Sequence, residues 1–224
     1  MSIIEPVLKD VQHPKRNKKY SSPLRLWHWL SAAVITGSLL TVLIDSTITN
    51  GRSNAGIIQN ELSNDKVSVT ADQARHAAHE ISDKVWTIHT YFGYVLAALL
   101  LFRLVLEIFQ LADQKLIRKI KSAYHHYCII KQNRQLARHE LMVKSIYAVF
   151  YCLLIIQVIT GLCLAFEDDV PALKAIHAIR EIHSFCMYLI IAFIIVHLAG
   201  VFLAERKESK GIVSDMINGG SDAE

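Results

Sequence analysis

Four long apolar stretches separated by polar segments dominate the pattern of the chain. They cover about residues 23–44, 84–109, 141–166 and 182–204. A helix rises about 1.5 Å per residue, so each stretch is long enough to cross a hydrocarbon core of about 30 Å. The pattern therefore predicts an all-α fold, a four-helix transmembrane bundle in which consecutive spans run up and down.

The polar segments predict termini, loops and short extra helices. Residues 1–22 and 205–224 are polar, and the second of these segments is expected to end in a mobile, glycine-containing tail. The long loop 45–83 has room for a short helix near 71–82. An amphipathic piece at about 171–181 predicts another helix before the fourth span. All 224 residues are expected to form a single membrane domain.

Composition supports a membrane protein and argues against other classes. Of the residues, 52% are hydrophobic, and the mean hydropathy is +0.30, which is too apolar for an ordinary soluble domain. The net charge of +4 gives no indication of nucleic-acid binding. The four cysteines have no C-x-x-C spacing and are expected to be small core residues, not disulfide or zinc ligands: Cys128, Cys152, Cys163 and Cys186.

The distribution of lysine and arginine predicts the orientation of the spans. Six basic residues precede or begin the first span, and seven lie in the linker between spans two and three. The loops 45–84 and 167–181 have only four and two. Cytoplasmic segments carry the excess of lysine and arginine, so both termini and the middle linker are predicted to be cytoplasmic.

Four of the eleven histidines lie inside the predicted spans: His28, His89, His183 and His197. Span direction places His28 and His197 near the cytoplasmic face, and His89 and His183 near the outer face. His183 and His197 are 14 residues apart on one span, so their imidazoles fall within about 40° of each other around the helix. Ionisable groups inside a membrane are costly and usually functional. The sequence therefore predicts two histidine pairs, one in each leaflet.

Two imidazoles in each layer favour haem over other cofactors. Neutral imidazole binds haem iron, zinc or copper. A pair without a nearby cysteine or carboxylate leaves zinc short of ligands but fills both axial positions of haem iron. The alternative is that each histidine bonds a helix carbonyl or water, as in a cofactor-free transporter. The i,i+3 pair His76 and His79 lies in a polar segment and is expected to be solvated.

Small residues near the histidines are candidates for making room for a flat ring. Each span has one interior glycine: Gly37, Gly93, Gly161 and Gly200. Gly93 lies about one turn after His89, and Gly200 lies three residues after His197. A glycine lets a helix or a macrocycle approach closely, although helix packing alone is the commoner reason for a glycine in a membrane span.

Two arginines are candidates for binding haem propionates. Arg25 precedes His28 by about one turn, and Arg103 follows His89 by 14 residues, so both are predicted near the cytoplasmic layer. Propionates need cationic hydrogen-bond donors. Arginines that extend toward water from helix ends explain the same positions equally well.

Three motifs on the spans form a pattern together: the stretch Arg25-Leu-Trp-His-Trp29; His89 with Gly93-Tyr94 and Arg103; and the spaced pair His183 and His197. This pattern resembles the di-haem cytochrome b subunit of nickel–iron hydrogenases and the wider bacterial cytochrome b-561-like group. The resemblance covers about residues 20–205 and leaves out the long loop at 45–83 and the tail.

The resemblance implies two haem b groups with His28, His89, His183 and His197 as axial ligands. It implies a subunit of the bacterial inner (cytoplasmic) membrane that accepts electrons from a hydrogenase, a dehydrogenase or a c-type cytochrome and passes them to quinone. Such a subunit carries electrons for an oxidoreductase complex and has no catalytic residue of its own. A stand-alone quinol or superoxide oxidase and the cofactor-free transporter are the alternatives.

Overall fold

The computed structural model describes residues 20–109, 124, 134–206 and 211–220, and in these residues it contains helices and no strand. The predicted all-α fold class is confirmed for this part of the chain. Residues 1–19, most of the basic linker with Cys128, and positions 207–210 and 221–224 lie outside it. The helices are α1 (Ser22–Thr47), α2 (Gly51–Asn64), α3 (Ala71–Phe109), α4 (Arg134–Ala165), α5 (Pro171–Lys174), α6 (Ala178–Arg206) and α7 (Ile212–Asn218).

Four of these helices are long and apolar enough to cross a membrane, which confirms the predicted number of spans. The candidate spans are Ser22–Thr47, Ala71–Phe109, Leu141–Ala165 and Ala178–Arg206. The longest, α3, has 39 residues and is therefore about 58 Å long, well beyond a hydrocarbon core of about 30 Å.

The start of α3 differs from the sequence prediction. The short helix expected near 71–82 and the span expected from residue 84 form one continuous helix in the structure. The polar stretch before the span has good helix formers and neither proline nor glycine. Thr70 and Gln73 begin the helix as a capping box: the Gln73 N–H donates to Thr70 Oγ1 (3.2 Å), and the Thr70 N–H donates to Gln73 Oε1 (3.0 Å). The change in polarity at residue 84 therefore indicates a membrane surface and not a helix end.

The chain divides into two compact units, of which one is Leu30–Ala98. In this unit α2 begins at Asn50, whose side chain accepts from the N–H groups of Arg52 and Ser53. Ala55 of α2 packs with Ala74 and Ala78 of α3 in a small core that Ile58 and Val69 border. Small side chains let the two helices approach closely, so the long loop of the sequence prediction holds a helix packed on the polar end of α3.

Replacing Ala78 with leucine should detach α2 from α3. Ala78 is 0% exposed, so the added methyl groups must displace their neighbours, which costs about 1–3 kcal/mol. We expect amide hydrogen exchange in α2 to accelerate about tenfold or more. Ala77→Leu, at the exposed neighbouring position, should leave exchange unchanged. Equal exchange rates in the two variants would contradict this packing.

The other unit comprises Met1–Trp29 and Leu99–Glu224, and in it α4 and α6 pack along each other. The short helix α5, with proline at its first position, occupies the start of the piece predicted at about 171–181. Beside it the Lys174 ammonium donates to Asp168 at 2.9 Å, and this hydrogen bond and charge lower the pKa of the Asp168 carboxyl below its ordinary value.

The C-terminal segment, which the polar pattern predicts to be a mobile tail, contains the short helix α7. Gly211 and Gly219 flank it with φ of 88° and 107°, left-handed values that suit glycine. The Glu205 carboxylate accepts from the Gly211 N–H at 2.8 Å. At its other end, the Trp29 indole N–H donates to the Met216 carbonyl at 3.2 Å. The first bond attaches the segment to the end of α6, and the second attaches it to the first turns of α1.

Candidate functional site

His28 and His197 face each other in the unit that holds the first turns of α1 and all of α6. Their ring centroids are 6.3 Å apart, and the ring planes differ by 59°. The His28 Nδ1 atom is shielded from solvent and has no hydrogen-bond partner among the described residues. Buried polar atoms are nearly always partnered, so this nitrogen leaves a donor or acceptor for a group that is not part of the described residues.

A stack of aromatic rings lies against the His197 imidazole. Phe193, one turn earlier on α6, lies 5.8 Å from the imidazole with ring planes only 7° apart. Phe150 of α4 stacks on Phe193 at 4.3 Å. The edge of Trp29 meets His28 at 5.2 Å. Neighbouring rings therefore restrict both imidazoles to one orientation.

The pair fits a haem iron ligated from both sides. Metal–imidazole bonds are about 2 Å long, which places the two ring centroids about 6 Å apart across the metal. The observed 6.3 Å agrees with this separation. A Cβ at Gly200, three residues after His197, would meet nothing within 4 Å, so the space beside the helix is open.

His183 lies on the same helix as His197 and contacts polar side chains of α4. Its Nδ1 is 3.0 Å from Thr160 Oγ1, and its Nε2 is 3.0 Å from Gln157 Nε2. The Thr160 hydroxyl donates its proton to the Ile156 carbonyl at 2.7 Å, so it accepts from the imidazole. The proton of His183 is therefore assigned to Nδ1, and the Nε2 lone pair, which a metal ligand needs, accepts from the Gln157 amide N–H.

His89, in the unit Leu30–Ala98, also contacts a threonine through Nδ1, here between α3 and α1. Its Nδ1 lies 2.9 Å from Thr41 Oγ1 of α1. The Thr41 hydroxyl donates to the Ser38 carbonyl at 2.6 Å, so it accepts from Nδ1–H of His89 and leaves Nε2 as the basic nitrogen. The Trp86 ring meets this imidazole edge-on at 5.3 Å. The sequence prediction missed both threonines, because no spacing along the chain relates them to the histidines.

The four span glycines separate into two kinds. A Cβ at Gly37 would lie 2.6 Å from the Phe92 ring, and one at Gly161 would lie 3.1 Å from His183 Cε1, so these two permit close contacts. A Cβ at Gly93 or at Gly200 would meet nothing within 4 Å. Gly93 and Gly200 are the two glycines for which the sequence predicts a role beside a cofactor.

Arg103 is nearly buried and is already paired. Its Nη1 lies 3.0 Å from Glu107 Oε2, and its Nε donates to the Tyr151 hydroxyl at 3.0 Å. Its guanidinium lies 5.9 Å from the Trp27 ring and 5.5 Å from the Tyr151 ring. Glu107 thus balances the charge that the sequence prediction reserves for a propionate. The i,i+4 spacing of Arg103 and Glu107 was a readable signal that the prediction did not use.

Arg25 retains one donor for a further ligand. Its guanidinium donates to the Ile217 carbonyl of α7 and to Ser22 Oγ, the second at 3.1 Å. Its Nε–H is buried and has no partner in the described part of the chain. An anionic group near the start of α1 could accept from this N–H.

No group of three or more histidine, cysteine, aspartate or glutamate side chains in the described residues is placed to hold a metal ion. Cys152, Cys163 and Cys186 are free thiols.

The family model of prokaryotic cytochrome b561 matches residues 19–219. The matched range contains all four membrane-length helices and the four histidines of the spans. No curated protein and no solved structure matches the chain.

Proposed function

The chain belongs to the prokaryotic cytochrome b561 family, and from this membership and the His28–His197 geometry we propose that it carries electrons across the membrane through two haems. Membership makes it a bacterial membrane protein, a b-type cytochrome that binds haem b and transfers electrons. Our assignment adds the ligands: His28 with His197 for one haem, and His89 with His183 for the other.

The single observation that carries this assignment is the facing pair of imidazoles. His28 comes from the start of α1 and His197 from the second half of α6, yet their rings lie 6.3 Å apart, and the buried Nδ1 of His28 has no hydrogen-bond partner among the described residues. A histidine that served only the packing would have its polar atoms satisfied. Membership in a haem-binding family supplies the group that completes this pair.

Two arguments support the assignment of His89 and His183 as the second pair: the directions of the spans and the protonation of the two rings. His183 and His197 share α6 and are about 21 Å apart along its axis, so that one helix serves two depths of the membrane. The threonines that accept from Nδ1 of His89 and His183 leave Nε2 of each ring basic. Ligating histidines usually donate their other ring N–H in this way.

Bound haem b supplies reversible one-electron chemistry at iron. The two imidazoles of a pair would hold the iron from both sides and would leave no position on it for oxygen. Phe193 and Phe150 hold the His197 ring, and the hydroxyls of Thr41 and Thr160 hold the His89 and His183 rings. Because these side chains hold the imidazoles in place, the site gains or loses an electron with little movement of its ligands.

The electron donor and the electron carrier are proposed by chemical class. We propose that the chain is the membrane subunit of a larger redox complex whose donor is a hydrogenase, a dehydrogenase or a c-type cytochrome, and that quinone is its exchangeable carrier. The lysine and arginine distribution supports the proposal that both termini and the basic linker lie on the cytoplasmic side of the inner membrane.

The test is a haem count on the purified full-length chain. Two haem b per chain and a b-type reduced spectrum are expected. One haem per chain, or none, would contradict the two-pair assignment. Steady quinol oxidation by the isolated chain, without any partner subunit, would favour the self-contained quinol or superoxide oxidase in place of the electron-transfer subunit.

A further inference from the structure

A short C-terminal segment bridges the two helices that supply the His28–His197 pair. This segment, which we call the strap, comprises residues 211–219 and contains α7. It begins beside the last turn of α6, the helix of His197, and ends beside the first turns of α1, the helix of His28. The strap carries none of the ligands in our assignment, so its attachment at both ends needs another explanation.

Glu205 attaches the start of the strap to α6. Its carboxylate accepts from the Gly211 N–H at 2.8 Å and from the Val213 N–H at 3.5 Å. The first N–H groups of a helix have no partner within the helix, and a negative charge at that end is favourable. Glu205 follows His197 by eight residues, about two turns of the same helix. The strap is therefore fixed to the end of α6 that lies nearer to His197 than to His183.

Two side chains at the start of α1 attach the other end of the strap. The Trp29 indole N–H donates to the Met216 carbonyl at 3.2 Å. The Arg25 guanidinium donates to the Ile217 carbonyl. The last carbonyls of a helix also lack partners within it, and a positive charge at that end is favourable. These donors thus bind the strap through groups that α7 by itself leaves available.

The side chains that hold the strap lie on both sides of His28 along α1. Trp29 directly follows His28, and the edge of its ring meets the imidazole at 5.2 Å. Arg25 precedes His28 by three residues, about one turn. Trp29 is 45% exposed, so burial alone would hold its ring loosely. The bond from Trp29 to Met216 therefore fixes the ring against His28.

A cofactor between two helices makes their spacing depend on other elements. Helices that pack directly have axes about 8–10 Å apart, a distance that their interlocking side chains determine. A macrocycle between α1 and α6 would take the place of those contacts. The strap joins both helices by hydrogen bonds that include charged groups, which are the stronger kind. Because α7 is helical, the strap also has a fixed length, and it can set how far His28 lies from His197.

We propose that the strap holds α1 at the distance from α6 at which His28 and His197 bind one iron from both sides. Trp29, Arg25 and Glu205 are its positioning residues, and they act through the two histidines. This inference rests on the proposed function, because it needs a haem between the members of the pair.

Two truncated chains test the strap. A chain that ends at Lys210 lacks it, and a chain that ends at Gly220 keeps it and is the matched control. In the oxidised wild type, the electron paramagnetic resonance signal that is lost in His197→Ala belongs to the His28–His197 haem. Without the strap this signal should shift or disappear, and the affinity for that haem should fall about 10–100-fold, as for other groups that orient a ligand. The other haem and its signal should be retained in both chains.

Trp29→Phe is a finer test, and it decides the question if the chain without the strap does not fold. It retains an aromatic ring beside His28 and removes the N–H that binds Met216. We expect the His28–His197 signal to shift while both haems remain. At the other end of the strap, Glu205→Gln retains an oxygen that can accept from Gly211 and should keep the wild-type signal, whereas Glu205→Leu should shift it.

The outcomes separate this inference from the proposed function. An unchanged His28–His197 signal in the chain without the strap, or in Trp29→Phe where that chain does not fold, would overturn the inference while the haem count of two stands. An equal change in both haem signals would also overturn it, because a general loss of stability would explain that result. Fewer than two haems in the wild-type chain would overturn the proposed function, and the haem count reveals this before any variant is made.

Discussion

Replacing His197 with alanine is expected to remove one of two haems and leave the other in place. Without His197 the iron would have His28 as its single protein ligand. The Phe193 ring, which lies against His197, would face an empty position. Haem per purified chain should fall from two to one. His28→Ala should give the same loss, because each member of a pair depends on the other.

The control for this experiment is a histidine outside the spans. His177 is exposed and precedes α6 by one residue, so His177→Ala should keep both haems. Two haems in His197→Ala would contradict the assignment of this ligand. Loss of both haems in every histidine variant would contradict the pairing into two independent sites.

Replacing His183 with alanine is expected to remove the other haem and to stop electron transfer between the two faces of the membrane. The His28–His197 haem should remain reducible by a donor on its own side, because His28 belongs to α1 and His197 lies 14 residues after His183 on α6. Proteoliposomes with a reductant outside and an enclosed oxidant would measure this: transfer should fall to the leak rate of empty vesicles.

Thr160 allows a finer test of the same site. Its hydroxyl accepts from His183 Nδ1, so Thr160→Val keeps the side-chain shape and removes the acceptor. Loss of such a supporting hydrogen bond typically weakens the metal site about 10–100-fold. Thr160→Ser retains the hydroxyl and should retain the haem. Equal haem retention in the valine and serine variants would contradict the orienting role of Thr160.

Much of this architecture was predictable from local pattern. Span number follows from apolar length, because a bilayer of fixed thickness sets the length of a helix that crosses it. The depth of each histidine follows from its place within a span and from the alternation of span directions. The ion pair of Arg103 with Glu107 was also readable, since residues four apart share a helix face.

The boundaries of α3 and the docking of α7 were not predictable in the same way. Hydropathy changes where the chain meets water, and a helix continues through that point whenever its residues permit, as they do in α3 before residue 84. The segment of α7 is attached by Trp29 and Arg25, whose partners are carbonyls some 190 positions along the chain. Backbone carbonyls are the same in every sequence, so no residue type marks them in advance.

The sequence by itself determined the class of protein, the four spans and the four histidines that serve as ligands in our proposal, because burial in lipid and the depth of ionisable groups depend on local composition. Tertiary structure alone decided which neighbours act on those histidines. Thr41 and Thr160 accept from Nδ1 of His89 and His183, and Phe150 stacks on the Phe193 ring that lies against His197. These contacts depend on distances of about 3–6 Å between side chains of different helices, and spacing along one helix does not encode them.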